Sequence, residues 1–351
     1  MDAFAAKTLQ TVEDFRDAGL VAPELVPALN AVAARYVAAV PPILQTAIAE
    51  TGRDGPIARQ FVPSPAELTV APDERGDPIG DAAHSPIKGI VHRYPDRVLL
   101  MPTHVCAVYC RFCFRREAVG PDAGILSAPE LDAAVAYIAR TPAVWEVILT
   151  GGDPLVLSSR RLGDIVRRLD AIPHVRVLRV HTRVPVAAPE RIDSMLIDTL
   201  RASTKAVYVA IHCNHPAELT GEAVAACARL ADAGLSLLSQ SVLLKGVNDS
   251  VDTLEQLMRT LVSARVKPYY LHHLDLAPGT SHFRVPVEEG QALMRALRTR
   301  VSGLALPTYV LDIPGGFGKV PIGPTYIEPA AHSYAVDDRT GVRHVYPPVP
   351  E

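Results

Sequence analysis

Residues 145–182, WEVILTGGDPLVLSSRRLGDIVRRLDAIPHVRVLRVHT, read as strand, loop, helix and strand in succession. The run 145–150 is short and apolar, and GGDP ends it. A helical pattern with a serine at its start covers 158–170, and 176–181 returns to a short apolar run. A strand, a helix and a strand in that order join parallel strands through a right-handed crossover.

The same unit recurs on both sides. Apolar runs lie at 97–102, 145–150, 176–181, 206–211, 235–243 and 268–274. Helical patterns follow them from Ser127 with Pro129 and Glu130, then at 158–170, 189–200, 220–233, 253–266 and 287–301, and Gly234 sits where a helix gives way to a strand. A seventh apolar run spans 307–311. Six strand–helix units are too few for a complete eight-stranded barrel, so the reading is α/β, an open, partial (β/α)6 TIM-like barrel. Residues 1–90 read as a helical N-terminal region, interrupted at Pro41-Pro42, followed by a Gly-, Pro- and Asp-rich wrapping segment that includes DERGDPIGDAAHSP. Residues 91–325 form the barrel and 326–351 a C-terminal tail.

Composition narrows the function. The 351 residues are 48% hydrophobic and 21% charged, the balance of a globular chain, with a formal net charge of −3. That charge gives no electrostatic case for nucleic acid or an anionic membrane. The most apolar stretch, 31–44, is broken by Arg35, Pro41 and Pro42, and the first twenty residues lack a signal-peptide core, so the expectation is a cytoplasmic protein.

Three of the five cysteines fall within eight residues, as Cys106-Ala-Val-Tyr-Cys110-Arg-Phe-Cys113. Three thiolates on one loop can hold three irons of a four-iron cluster and leave the fourth without a protein ligand. A structural zinc site wants four ligands in paired knuckles, and an electron carrier wants a fourth nearby cysteine. Cys227, in an Ala-rich helical run, reads as a buried small hydrophobe. In parallel barrels chemistry gathers at the C-terminal strand ends. There lie the cysteine loop, GGDP, His181-Thr182-Arg183, His212, Asp275, and Asp312 with PGGFGK, while Gln240 lies within the fifth run. The glycines of GGDP would let backbone approach a ligand, and Asp153 could hold an ammonium group. The Gly-rich turn ending at Lys319 is either a phosphate-binding turn or a solvated one, and it is not a Walker loop.

The stretches RYPDRVLLMPTHVCAVYCRFCFRRE, ILTGGDPLVLS, HTRVPVAAPERI, IHCNHPAELT, LLSQSVLLKGVND and DIPGGFGKVP resemble the lysine 2,3-aminomutase family of radical S-adenosylmethionine enzymes, in the same order over about three quarters of the chain. The resemblance implies a [4Fe–4S] cluster on Cys106, Cys110 and Cys113. It also implies S-adenosylmethionine held by Gly151, Gly152, Asp153 and His212. Pyridoxal phosphate would join Lys319 as a Schiff base, with Arg93, Tyr94 and Arg97 around its phosphate and Gln240 near its ring. Arg115 would meet the substrate carboxylate, and Asp275 with Asp312 would grip the distant ammonium of L-lysine. Phe317 stands where the family usually has Gly, and His272 where a Tyr is common.

The implied reaction reduces S-adenosylmethionine at the open iron to a 5′-deoxyadenosyl radical, which moves the α-amino group of lysine to the β-carbon. An electron donor such as flavodoxin or ferredoxin would supply the electron. Related members make β-lysine for elongation factor P, and arginine or glutamate are the other candidate substrates. A homo-oligomer is left open.

Overall fold

In a computed structural model, which describes residues 7–347, the alternation folds as a single row of strands with helices packed along it. Four short helices come first, α1 (Val12–Asp17), α2 (Val26–Ala33), α3 (Pro42–Thr51) and α4 (Pro56–Phe61). Pro42 opens α3, where its missing N–H costs nothing. Residues 2–6 of the expected helical run, and the last residues of the expected tail, lie outside the described residues.

The sheet runs β1 (Ile90–Tyr94), β2 (Arg97–Thr103), β3 (Glu146–Gly151), β4 (Val177–Thr182), β5 (Ala206–His212), β6 (Ser236–Val242), β7 (Lys267–His272), β8 (Thr308–Ile313) and β9 (Gly318–Pro321), in that spatial order. Pairs from β2 through β8 are parallel. The intervening helices are α5 (Ala128–Ala139), α6 (Ser159–Asp170), α7 (Val184–Ala187) with α8 (Ser194–Arg201), α9 (Gly221–Asp232), α10 (Val251–Ser263) and α11 (Val287–Arg300). The (β/α)6 reading with a seventh strand is therefore the observed core. Its helix starts are capped by the residues the sequence offers: Ser127 and Glu130 form a reciprocal capping box, and Ser158, Thr220 and Ser250 cap α6, α9 and α10. The expected helix over 189–200 starts later, at Ser194 where Asp193 caps α8; Pro189–Arg191 form only a short 3-10 turn before it.

Two strands were not expected. β1 pairs antiparallel with β2 through the turn at Pro95-Asp96, and β9 pairs antiparallel with β8. They cover the two edges that seven parallel strands leave open. Across the remaining gap the Lys319 backbone N–H donates to Tyr94 Oη at 2.7 Å, so a side chain ties β9 to β1. The sheet is nearly closed, and its two ends meet at the residues of the Gly-rich turn. The C-terminal segment is also more than a tail: β10 (Ile327–Ala330), β11 (Ser333–Asp337) and β12 (Arg343–Tyr346) form an antiparallel meander. Among the described residues no helix is long and apolar enough to cross a membrane.

The main core joins strands to helices; Leu254, Leu257 and Leu261 of α10, for example, are fully buried against it. A second core holds the N-terminal helices together and extends to Val108 in the cysteine loop and Ala187 in α7. Between the two lies an ionic knot. Glu67, fully buried, accepts from Arg111 Nε and Nη2 at 3.0 and 2.6 Å and from Arg116, both in the cysteine loop. Burial alone would raise the Glu67 carboxyl; the two guanidinium groups outweigh it and hold it below the ordinary range. Removing one partner of such a group strands the others in a dry place. Glu67→Ala is expected to lose about 3–5 kcal/mol of stability, measured as a fall in the urea midpoint at unchanged slope.

Candidate active site

The cysteine loop leaves β2 at Thr103 and is pinned from several sides. Arg111 N–H donates to the Gln60 carbonyl at 2.8 Å, and Asp153 N–H to the Val105 carbonyl at 2.9 Å. Gly152 N–H donates to the Thr103 carbonyl at 2.7 Å. Gly151 and Gly152 allow this approach: a Cβ on Gly152 would lie 2.3 Å from the Val105 carbonyl oxygen, and Gly151 holds φ +102°. The loop after β3 thus lies directly on the cysteine loop, where the sequence reading put it.

Cys106, Cys110 and Cys113 are free thiols, half-buried on this loop. Burial pushes the Cys110 thiol up to about 12, with Arg183 opposing, and raises Cys106 and Cys113 as well. Thiols so placed keep their protons until a cation arrives to displace them. Among the described residues no group of three or more His, Cys, Asp or Glu is placed to hold a single metal ion. A cluster asks for less convergence, since each thiolate takes its own iron. The donor set fits such a cluster.

The Asp153 reading needs correction. Its carboxylate does not face a guest ammonium: it accepts from Leu155 N–H at 3.0 Å, Thr182 Oγ1 at 2.8 Å and Arg183 N–H at 2.7 Å. It ties the β3 loop to the end of β4. His212 Nε2 at the end of β5 and His181 Nε2 at the end of β4 are buried with no partner among the described residues, their rings 5.6 Å apart. Burial, helped by Arg183, lowers His212 to about 3, so it is a neutral imidazole. Two unsatisfied polar atoms in a dry lumen fit a polar guest such as S-adenosylmethionine. Gln240 lies level with His212 on one side and Tyr270 on the other.

The second half of the pocket forms where β1, β8 and β9 meet. Asp312 and Lys319 are directly opposed in the β8–β9 register, and their side chains are ion-paired. His272 Nδ1 lies 3.6 Å from Asp312 Oδ2, which gives the position of this unusual residue. Burial works to raise Asp312, but His272 and Lys319 together hold it well below the carboxylate range. Asp275, just past β7, moves the other way: burial, then the Asp312 charge, pushes it up to about 7. Two acids close together share out one proton in this manner. The glycines of 315–318 hold positive φ, and Gly318 passes under Tyr94 Oη.

Arg93 and Arg115 both donate to Asp81, at 2.7 and 2.6 Å, and Arg93 Nη1 lies 4.0 Å from Asp312. Arg93 Nε is buried and has no partner among the described residues, an open donor that fits an anion. Arg97 stands apart: its guanidinium stacks 3.7 Å above the Tyr94 ring and donates to Asp96 at 2.8 Å. The structure thus gathers Arg93, Tyr94, Arg115, Asp275, Asp312 and Lys319 in one cluster, with Arg97 stacked on Tyr94 beside it.

Sequence reasoning missed the acids that hold this together. Asp81, Glu67 and Glu218 carry no motif. The signal was the surplus of cations in CRFCFRRE, since Arg111, Arg115 and Arg116 cannot enter a dry site unpaired.

A nearly closed parallel sheet with a three-cysteine loop at the C-terminal strand ends defines a radical S-adenosylmethionine enzyme. Residues 100–261 match the radical SAM superfamily, and residues 294–348 match a lysine-2,3-aminomutase C-terminal family. The chain is 42% identical over 292 residues to L-lysine 2,3-aminomutase of Fusobacterium nucleatum, covering 83% of this chain and 68% of that protein. It is 42% identical over 298 residues to L-lysine 2,3-aminomutase of Acetoanaerobium sticklandii, covering 85% and 72%. Among solved structures, a radical SAM methyltransferase from Sphaerobacter thermophilus shares 24% identity at a TM-score of 0.47, covering 63% of this chain and 68% of that one. The chain belongs to the lysine 2,3-aminomutase family. It is an isomerase of the aminomutase type, and its family implies a [4Fe–4S] cluster and S-adenosylmethionine.

Replacing any one of Cys106, Cys110 or Cys113 with Ala is expected to abolish cleavage of S-adenosylmethionine, because two thiolates do not hold the cluster in place. Iron content and 5′-deoxyadenosine formation are the measurements, and wild-type cleavage in a single variant would refute the ligand set.

Proposed function

We propose that the enzyme moves the α-amino group of L-lysine to the β-carbon, giving β-lysine, with pyridoxal phosphate anchored on Lys319. The observation that carries this reading is one group of charges: Lys319 with the carboxylates Asp275 and Asp312, and the arginines Arg93 and Arg115 beside them. When bound, the cluster with S-adenosylmethionine supplies the radical, and pyridoxal phosphate supplies a carbonyl that accepts an amine. Cys106, Cys110 and Cys113 would hold the cluster, and His212 with the Gly151-Gly152 backbone would line the adenosyl side.

The chain's own residues divide the remaining work. Lys319 offers the anchoring amine, and its backbone is fixed by Tyr94. Arg93 offers its free Nε to the coenzyme phosphate, and Arg97 supports Tyr94 from its other face. Gln240, buried between His212 and Tyr270, borders the ring. Arg115 offers a planar fork to the substrate carboxylate. Asp275 and Asp312 present negative charge to a distant ammonium, and a buried ammonium without such partners would cost several kcal/mol. Glutamate has no cation for this pair, which favours a basic amino acid. A low-potential electron donor such as flavodoxin or ferredoxin would reduce the cluster from outside.

Anaerobic turnover of lysine, arginine and glutamate tests the substrate; preference for glutamate would end this reading. Lys319→Ala is expected to lose the borohydride-reducible bond to the coenzyme and nearly all turnover while iron content survives. A bond that persists would place the anchor on another lysine.

The acid pair also sets a pH dependence. Burial, then the Asp312 charge, pushes Asp275 up to about 7, against the lowering pull of Lys319. Below that it is protonated and neutral and attracts an ammonium poorly; above it both acids are charged. The profile of kcat/KM for lysine, which reports the free enzyme, is therefore expected to rise with pH through about 7. In Asp275→Asn that inflection should vanish and kcat/KM should fall at alkaline pH. An inflection unchanged in Asp275→Asn would exclude this assignment.

A further inference from the structure

One charged group at the pocket has no role in the reading above. Asp81 lies in the wrapping segment, and among the described residues its carboxylate meets two hydrogen-bond partners only. Oδ1 accepts from Arg93 Nη2 at 2.7 Å; Oδ2 accepts from Arg115 Nη2 at 2.6 Å and Nε at 3.0 Å. All three side chains are largely shielded, at 10%, 13% and 17% exposure for Arg93, Arg115 and Asp81.

This placement is built rather than incidental. The Asp81 and Ala82 N–H groups donate to the Asp77 carboxylate at 2.8 and 2.9 Å, which fixes the turn. Gly80, at φ +70°, lies so close to the Gly-rich turn that a Cβ would come within 2.5 Å of Gly316 N. His84 packs on Gly316 from the same segment. The segment bearing Asp81 and the turn leading to Lys319 are therefore one contact surface.

We propose that Asp81 is the internal anion of this pocket, a positioning residue that holds Arg93 and Arg115 as a pair and sets how strongly they attract anionic ligands. The identity of those anions rests on the function proposed above; the pairing does not. Asp81 takes one Nη2 of Arg93 and the Nε–Nη2 edge of Arg115. Arg93 Nε and Arg115 Nη1 are left for guests. Two guanidinium groups sharing one carboxylate keep a single net positive charge. A free anion meets a weakened attraction there, while a ligand also held at Lys319 or at the acid pair gains enough elsewhere to bind. Asp81 thus selects for ligands with a second anchoring point and against small inorganic anions.

Calorimetric titration of inorganic phosphate into the anaerobic, iron-loaded protein without added coenzyme tests this. Asp81→Asn is isosteric and removes the charge, so it should bind phosphate about tenfold more tightly or better. Asp81→Glu keeps the charge and should stay near wild type. Asp81→Ser serves as the second neutral variant, with circular dichroism and iron content checking the fold. Phosphate affinity unchanged or weaker in the folded neutral variants would overturn the proposal, as would equal tightening in Asp81→Glu. The Lys319 bond is followed separately by borohydride reduction. If it forms while phosphate affinity is unmoved, Asp81 is misassigned and the proposed function stands. If phosphate tightens but no bond forms at Lys319, the internal anion stands and the proposed coenzyme site fails.

Discussion

A carboxylate taken out of water must be met by a cation or by several donors, and the ordering of this molecule around its cysteine loop depends on that constraint. Glu67 binds Arg111 and Arg116, which flank Cys113. Glu218 binds Arg183 and also accepts from Gln60 Nε2 at 3.1 Å and from the Asn214 N–H at 2.8 Å. Gln60 in turn accepts from Asn214 and, through its carbonyl, from Arg111. Asp153 joins the β3 loop to β4. Each acid comes from a different segment of chain, so each bond fixes one loop against another. The cysteine loop packs Val108 and Phe112 into apolar clusters, and these bonds add the fixed directions that packing alone does not supply.

The second constraint is closure. Seven parallel strands do not complete a barrel, and open edges invite pairing with other chains. Two short antiparallel strands cover the edges, and the Tyr94 hydroxyl bridges what remains. This brings Arg93 on β1 within reach of Asp312 on β8, two residues far apart in the chain. The same register that makes β9 an edge guard sets Lys319 opposite Asp312. Fold closure and the polar pocket are one event.

Much of this was legible in the sequence, for physical reasons. Buried parallel strands read as short apolar runs, helix starts carry capping side chains, and a three-cysteine spacing has few other uses. The edge strands were not legible because IVHRY and GKVP are short, mix apolar with polar residues, and acquire strand form only by pairing. The meander was hidden likewise, though Asp338-Arg-Thr-Gly341 between YAVD and VRHVY carries a turn signal, with Gly341 at φ +85°. Asp153 was read as holding an ammonium because GGDP ends the second apolar run; nothing in the sequence marks Thr182 and Arg183 as its partners. Asp81 was invisible inside a segment whose composition says only that it is irregular.

Most of the site's charges are paired internally before any guest arrives. Lys319 meets Asp312, and Asp81 meets the arginines. One positive charge is left in excess, with the buried Arg93 Nε as its open donor. The balance also explains why the two pocket acids part company: with one ammonium and one neutral imidazole at hand, a single carboxylate is stabilised, and the proton settles on Asp275. If the Lys319 charge were removed by a covalent bond to its amine, Asp312 would lose its partner and the acid pair would need a cation from outside. Occupying the lysine and creating a cation site are thus linked by Coulomb's law alone, with no movement of the backbone required.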